Sequence, residues 1–270
     1  MLSVIQRGRT MLPFQVVKLV AGLIFFFSFR YAPAAEKLIN LPVRGDVVSP
    51  VYVMTRDDAT ATVILLPGGD GGIGKISEGK PTSNNFLVRS RELFFQNGLN
   101  VVVMGRVSDQ DGLDYGYRIS GEHVHDIGVV VDYAIKETGK PVWIVGTSRG
   151  TVSGTAATIA LGNNKVAGLV LTSSVTSRKT GAVPTQKLGS VTVPVLVVHH
   201  EKDACSVCRP YEASGIVTGL VAARTKKLVM VKDGADPAGD PCGSQHWHGY
   251  INAEKSTVDL IANWIRNPGP

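Results

Sequence analysis

Five residues, Gly146-Thr147-Ser148-Arg149-Gly150, follow the apolar run Pro141-Val142-Trp143-Ile144-Val145 and spell the pattern G-x-S-x-G. A serine with glycines two residues to either side fits a sharp turn from a buried strand into a helix. Such a turn strains the serine backbone and brings the flanking positions too close together for side chains, while leaving the hydroxyl exposed. A serine hydroxyl is too weak an acid to be a nucleophile alone, so the chemistry this suggests is attack on an acyl carbonyl with a neighbouring base taking the proton. The segment Thr151 to Leu161 is rich in small residues and could pack as a helix close against a sheet.

Positioning such a serine requires a frame, and the sequence suggests one. Apolar runs recur at Ala61 to Leu66, Asn100 to Met104, Pro141 to Val145, Val166 to Leu171, Pro194 to His200 and Lys227 to Val231. Between and after them, helical spacing appears at Asn84 to Gln96, Glu122 to Lys136, Thr151 to Leu161, Tyr211 to Val221 and Glu254 to Ile265. Strands alternating with helices, and strands apolar on both faces, predict an α/β fold with a doubly wound, mostly parallel sheet flanked by helices. Val47 to Met54 is expected as an antiparallel edge.

In chain order come a serine after one strand (Ser148), an acid after the next strand but one (Glu201-Lys202-Asp203), and a histidine after the last strand (His246 or His248). With the G-x-S-x-G turn, this order resembles the α/β-hydrolase superfamily over essentially the whole chain from about Val47 to Ile265. The form it resembles is the serine-esterase and dienelactone-hydrolase type without a lid domain. The resemblance implies that Ser148 is the nucleophile, Asp203 the acid that fixes the imidazole, and His248 the base, since His248 precedes a glycine and an aromatic. Glu201 and His246 are the competitors for the last two roles. It further implies an oxyanion hole made by the backbone N–H of Arg149 and one from the loop Pro67-Gly68-Gly69-Asp70-Gly71-Gly72-Ile73-Gly74, with Gly69 first and Asp70 next. The family's usual histidine at the start of that loop is Pro67 here.

The same loop matches G-x-G-x-x-G through Gly69, Gly71 and Gly74. A nucleotide site would need a helix to begin at once, but Gly79 and Pro81 interrupt the next stretch, and Ile76 stands where a P-loop needs Ser or Thr. A metal site of His246, His248 and Asp240 has no matching ligand cluster elsewhere, so neither metal nor cofactor is expected. Only 22 residues, 172–193, separate the strands on either side of the next loop. They leave no room for a lid, and the cleft is expected to be open to a small-molecule ester or acyl substrate.

The first 34 residues contain Arg7, Arg9, Lys18 and Arg30, no acid, and the apolar run Leu19 to Phe29. With the small residues Ala32-Pro33-Ala34, this reads as a signal peptide cleaved after Ala34, an uncleaved anchor being the alternative. Residues 35–270 then form a single domain, periplasmic or secreted, with no membrane contact after cleavage. Its removal takes the net charge from +6 to +2, and no basic stripe remains to suggest nucleic acid. An exported chain can keep disulfides. A Cys205–Cys242 bond would clamp the acid loop to the histidine loop and leave Cys208 over; a Cys205–Cys208 pair or three thiols are the alternatives. The function expected is that of an exported serine hydrolase, carboxylesterase-like. A peptidase or acyltransferase of the same fold, or a binding protein that has kept it, are the rivals.

Overall fold

In the computed structural model the described residues are Leu2 and 35–269. The chain divides into two units, Met1–Arg30 and Tyr31–Pro270, and the strands and helices of the described residues belong to the second. The expected leader lies, Leu2 aside, outside the described residues. Strands β1 (Ala35–Arg44) and β2 (Val47–Thr55) make an antiparallel hairpin. After β3 (Ala61–Leu66) come a small ribbon of β4 (Ile76–Ser77) and β5 (Lys80–Pro81), then the short helices α1 (Phe86–Arg89) and α2 (Arg91–Gln96). Strand β6 (Leu99–Met104) leads through α3 (Tyr115–Arg118) and α4 (Gly121–Thr138) to β7 (Val142–Thr147) and α5 (Gly150–Leu161). The chain ends with β8 (Gly168–Thr172), β9 (Val195–His200), α6 (Ala213–Gly219), β10 (Lys226–Val231) and α7 (Glu254–Arg266).

Eight strands form one sheet in the order β1-β2-β6-β3-β7-β8-β9-β10, parallel from β6 to β10. Every residue of β3, β6, β7, β8 and β9 is buried. Successive side chains point to opposite faces, and the core divides accordingly. Ile64, Val102, Ile144 and Val197 pack with Ile127 and Val130 of α4, Ala157 of α5 and Ile216 of α6. Leu65, Val103, Val145 and Val198 pack on the other face with Phe86 of α1, Phe94 of α2 and Ile261 of α7. A fully buried side chain of this kind contributes about 1.5–3 kcal/mol, which is why these strands need no polar alternation.

The order of strands matters most for function. From β3 the chain crosses to β6 on one side and then returns to β7 on the other, so the direction of winding reverses between β3 and β7. Loops at the carboxyl ends of two such strands diverge and leave a crevice, the place where open α/β sheets bind ligands. The loop after β3 and the turn after β7 carry the glycine-rich stretch and Ser148.

Several elements differ from the sequence pattern. β2 is antiparallel as expected but is not the edge, because β1 covers it. The expected helix from Asn84 to Gln96 starts only at Phe86, where the Asn85 side chain caps it by accepting from the Leu87 N–H at 3.1 Å, and it breaks at Ser90. Of Tyr211 to Val221 only Ala213–Gly219 is α-helical, after a 3-10 turn at Pro210–Glu212.

Candidate active site

Ser148 sits between β7 and α5 with φ of +52°, a left-handed conformation that costs a non-glycine residue energy and is held here by its surroundings. Its N–H donates to the Thr172 carbonyl of β8 at 3.0 Å, and its own carbonyl accepts from the Thr151 hydroxyl at 2.6 Å. The flanking glycines are required by space. A Cβ on Gly146 would lie 2.5 Å from the Gly150 carbonyl oxygen, and one on Gly150 would lie 2.0 Å from the Leu66 carbonyl oxygen. The pattern in the sequence is thus a packing demand of the β7–α5 turn against the end of β3.

Asp203 follows β9. Its Oδ1 accepts from the Cys205 N–H at 2.9 Å, and its Oδ2 lies 2.8 Å from Nδ1 of His248, in a pair whose side chains are 0% and 5% exposed. With the proton on Nδ1 donated to the carboxylate, Nε2 is left as a free acceptor, and it has no partner among the described residues. The loop that carries His248 is anchored through its backbone: the Ser173 hydroxyl donates to the His248 carbonyl at 2.8 Å. The buried Tyr250 hydroxyl donates to the Val198 carbonyl at 2.8 Å and accepts the Ser173 N–H at 3.0 Å. A disulfide joins Cys205 to Cys242, tying the two loops together.

The competitors lie elsewhere. Glu201 pairs with Lys232 on the surface at 3.6 Å, and the His246 ring packs edge-on against Trp247. His199, pushed down to about 4 by burial, accepts the Ser174 N–H at 2.9 Å through Nε2, and His200 stacks on Trp247.

Ser148 and His248 line one cavity of about 250 Å³ with Gly68, Gly69, Asn84, Asn85 and Ser244. The Ser148 hydroxyl lies against the Cys208 thiol, which burial pushes up well above the usual thiol range although that hydroxyl draws it back. Sulfurs of Cys205 and Cys208 and a ring nitrogen of His248 fall within 4.8 Å of one another. With Cys205 in a disulfide, the group lacks the thiolate that would make it a metal cage. The backbone N–H groups of Gly69, which lines this cavity, and of Arg149, which follows Ser148, have no backbone acceptor among the described residues. The Arg149 side chain stands outside, over the Tyr115 ring at 5.5 Å. Asp70 shapes its loop from the rim, accepting from the Gly72 N–H at 2.8 Å and from Arg106 at 2.6 Å.

Comparison with known proteins bears on the fold. No family model matches the chain, and no curated protein matches it. Solved structures do. A dienelactone hydrolase from Anabaena variabilis superposes with a TM-score of 0.61 at 16% identity, over 88% of this chain and 99% of that one. An esterase from Pyrococcus furiosus gives 0.62 at 11% identity, over 88% and 92%. An α/β serine hydrolase without lid from Xanthomonas campestris gives 0.54 at 17% identity, over 86% and 92%.

The chain has the α/β-hydrolase fold. Within that fold the β8–β9 connection is short here and carries only two 3-10 turns, Val183–Thr185 and Leu188–Ser190. The residue that sequence reasoning missed is Arg118, 1% exposed beneath the glycine-rich loop. Its one signal is its position in Tyr115-Gly116-Tyr117-Arg118, a stretch too short for any periodicity to mark it as inward-facing.

Proposed function

We propose that the protein is an exported serine hydrolase that cleaves small carboxylic esters through an acyl-Ser148 intermediate. The observation that carries this reading is the 2.8 Å contact between His248 Nδ1 and Asp203, which leaves Nε2 free beside the cavity that Ser148 also lines. The hydroxyl of Ser148 turns from Cys208 toward Nε2, which takes its proton as the oxygen attacks the ester carbonyl. Asp203 holds the tautomer and stabilises the imidazolium. The tetrahedral oxyanion is received by the N–H groups of Gly69 and Arg149. Collapse expels the alcohol, protonated by His248, and water attacks the acyl-serine by the same route in reverse.

Size and lining narrow the substrate. A cavity of about 250 Å³ walled by glycine, serine and asparagine suits a short acyl group with polar surroundings better than a long hydrocarbon chain. Residues 1–34 serve as the leader in this reading, and the Cys205–Cys242 bond is consistent with an oxidising compartment.

The test is fluorophosphonate labelling of residues 35–270, with Ser148→Ala and His248→Ala beside the wild type, followed by a chain-length series of esters. Labelling that disappears in Ser148→Ala, falls sharply in His248→Ala and accompanies fastest turnover of short acyl groups is the expected result. A folded wild type that neither labels nor hydrolyses any ester would leave a binding protein as the better account.

A further inference from the structure

Arg118 is a buried guanidinium without a carboxylate. No acid among the described residues lies within ion-pair distance of it, and each of its hydrogen bonds goes to a neutral oxygen. Nε donates to the Leu113 carbonyl at 3.2 Å, Nη1 to the Ser153 hydroxyl at 2.9 Å, and Nη2 to the carbonyls of Gly69 at 3.2 Å and Pro67 at 3.5 Å. Burial, reinforced by the charge of Arg149, pushes its proton affinity down to about 9, which still leaves it cationic at neutral pH. A buried cation whose hydrogen bonds go only to carbonyl and hydroxyl dipoles, with the charges of Asp70 and Asp114 acting from beyond ion-pair distance, is costly, and simple packing would be served better by an apolar side chain.

What those dipoles have in common is their place in the site. The loop after β3 begins Pro67-Gly68-Gly69, with almost no side chains by which it could be held, so its backbone must be fixed from outside through its carbonyls. Pinning the carbonyls of Pro67 and Gly69 fixes the two peptide planes that flank the Gly68–Gly69 peptide, whose N–H is the proposed oxyanion donor. The same guanidinium reaches Ser153 on α5, the helix that opens with the other donor, Arg149. Ser153 in turn meets Nε2 of the buried His123 at 2.9 Å. Burial, with the charge of Arg118, keeps the His123 ring neutral, pushed down to about 3.

We propose that Arg118 is the positioning residue of the oxyanion hole: it holds the Gly69 and Arg149 donors at a fixed spacing and places a buried positive charge behind the oxygen that becomes negative. This rests on the acyl-serine reading above. An interaction of this kind gains strength only as the oxyanion forms, so its loss should lower turnover and weaken tetrahedral adducts without weakening substrate binding.

The experiment compares wild type, Arg118→Gln, Arg118→Lys and Ser153→Ala on a short p-nitrophenyl ester and on a boronic acid that forms a tetrahedral serine adduct. Tryptophan fluorescence and circular dichroism establish that each variant is folded. For Arg118→Gln the expected result is a fall in kcat of about 10–100-fold, a matching rise in the boronate Ki, and KM within about twofold. Arg118→Lys keeps the charge but loses the fork, and should recover only part of both effects. If the Arg118 variants do not fold, Ser153→Ala carries the test, with kcat and Ki moving together by about 3–10-fold. Folded variants with unchanged kcat and Ki, or with kcat lowered and Ki untouched, overturn the assignment while wild-type labelling at Ser148 keeps the acyl-serine reading. A wild type that does not label overturns both.

Discussion

The two walls of the cleft around Ser148 are held by opposite means. On one side, the Pro67–Asp70 loop is a run of backbone gripped through its carbonyls by a buried cation. On the other, the loops carrying Asp203 and His248 meet through a buried hydrogen bond between side chains and are locked by a covalent bond between Cys205 and Cys242. The difference follows from what each wall offers to chemistry. N–H groups leave the carbonyls free as handles, whereas a carboxylate and an imidazole occupy their own side chains, so a neighbouring residue must serve as the fastener. One wall therefore depends on charge and packing, and the other on redox state.

The largest effect that would separate the walls comes from the acid. Asp203→Asn keeps the shape of the His248 loop but presents an amide that no longer selects the Nδ1–H tautomer, and kcat for a short ester should fall by about 10³–10⁴-fold. A loss smaller than tenfold would show that His248 does not work through Asp203. Reduction comes next. The bond closes a loop of 37 residues, and in the chain-entropy model this contributes about 4 kcal/mol, or roughly 8–16 °C in Tm for a chain of this size. Thermal unfolding of wild type with and without reductant, beside Cys242→Ser, measures it; Cys242→Ser should be insensitive to reductant. An Arg118→Gln variant should lose as much stability on reduction as wild type does, since its lesion lies on the other wall.

The last effect concerns pH and touches both walls. His123 stands behind the Pro67–Asp70 loop and His199 near the loop that carries Asp203, both buried and with folded pKa values lowered to about 3 and about 4 from 6.5. Below pH 6.5 the unfolded chain binds protons that these rings do not accept. Stability is therefore full above that pH and falls by up to about 1.4 kcal/mol per pH unit for each histidine down to about pH 4. Denaturant melts between pH 7 and 4.5 should show the slope, and His123→Gln and His199→Gln should each remove close to half of it. A slope unchanged in both variants would assign acid sensitivity to other groups.

The sequence is most informative where one physical demand leaves one kind of residue. The continuous Val, Ile and Leu runs of β3, β6 and β9 can be buried on both faces only in a sheet covered twice, so the parallel core is readable. Gly146 and Gly150 mark the turn at Ser148 because any Cβ there would collide with backbone. What is not readable depends on distant parts of the chain. β1 mixes exposed and half-buried residues around Pro42 and becomes a strand only because β2 is there to pair with it. The choice between His246 and His248 for the place beside Asp203 is made by a contact across 45 residues. Arg118 looks like a surface arginine until the loop folds over it, since nothing local says that its partners are carbonyls contributed by residues near position 67.

The Cys205–Cys242 bond can also be stated as a concentration. Along the chain Asp203 and His248 are 45 residues apart. With 37 of those residues closed off by the disulfide, the connecting tether shrinks to about eight. Effective concentration falls roughly as the three-halves power of tether length, so when the two loops breathe apart, the imidazole is presented back to its carboxylate at about ten times the concentration that the open chain would provide.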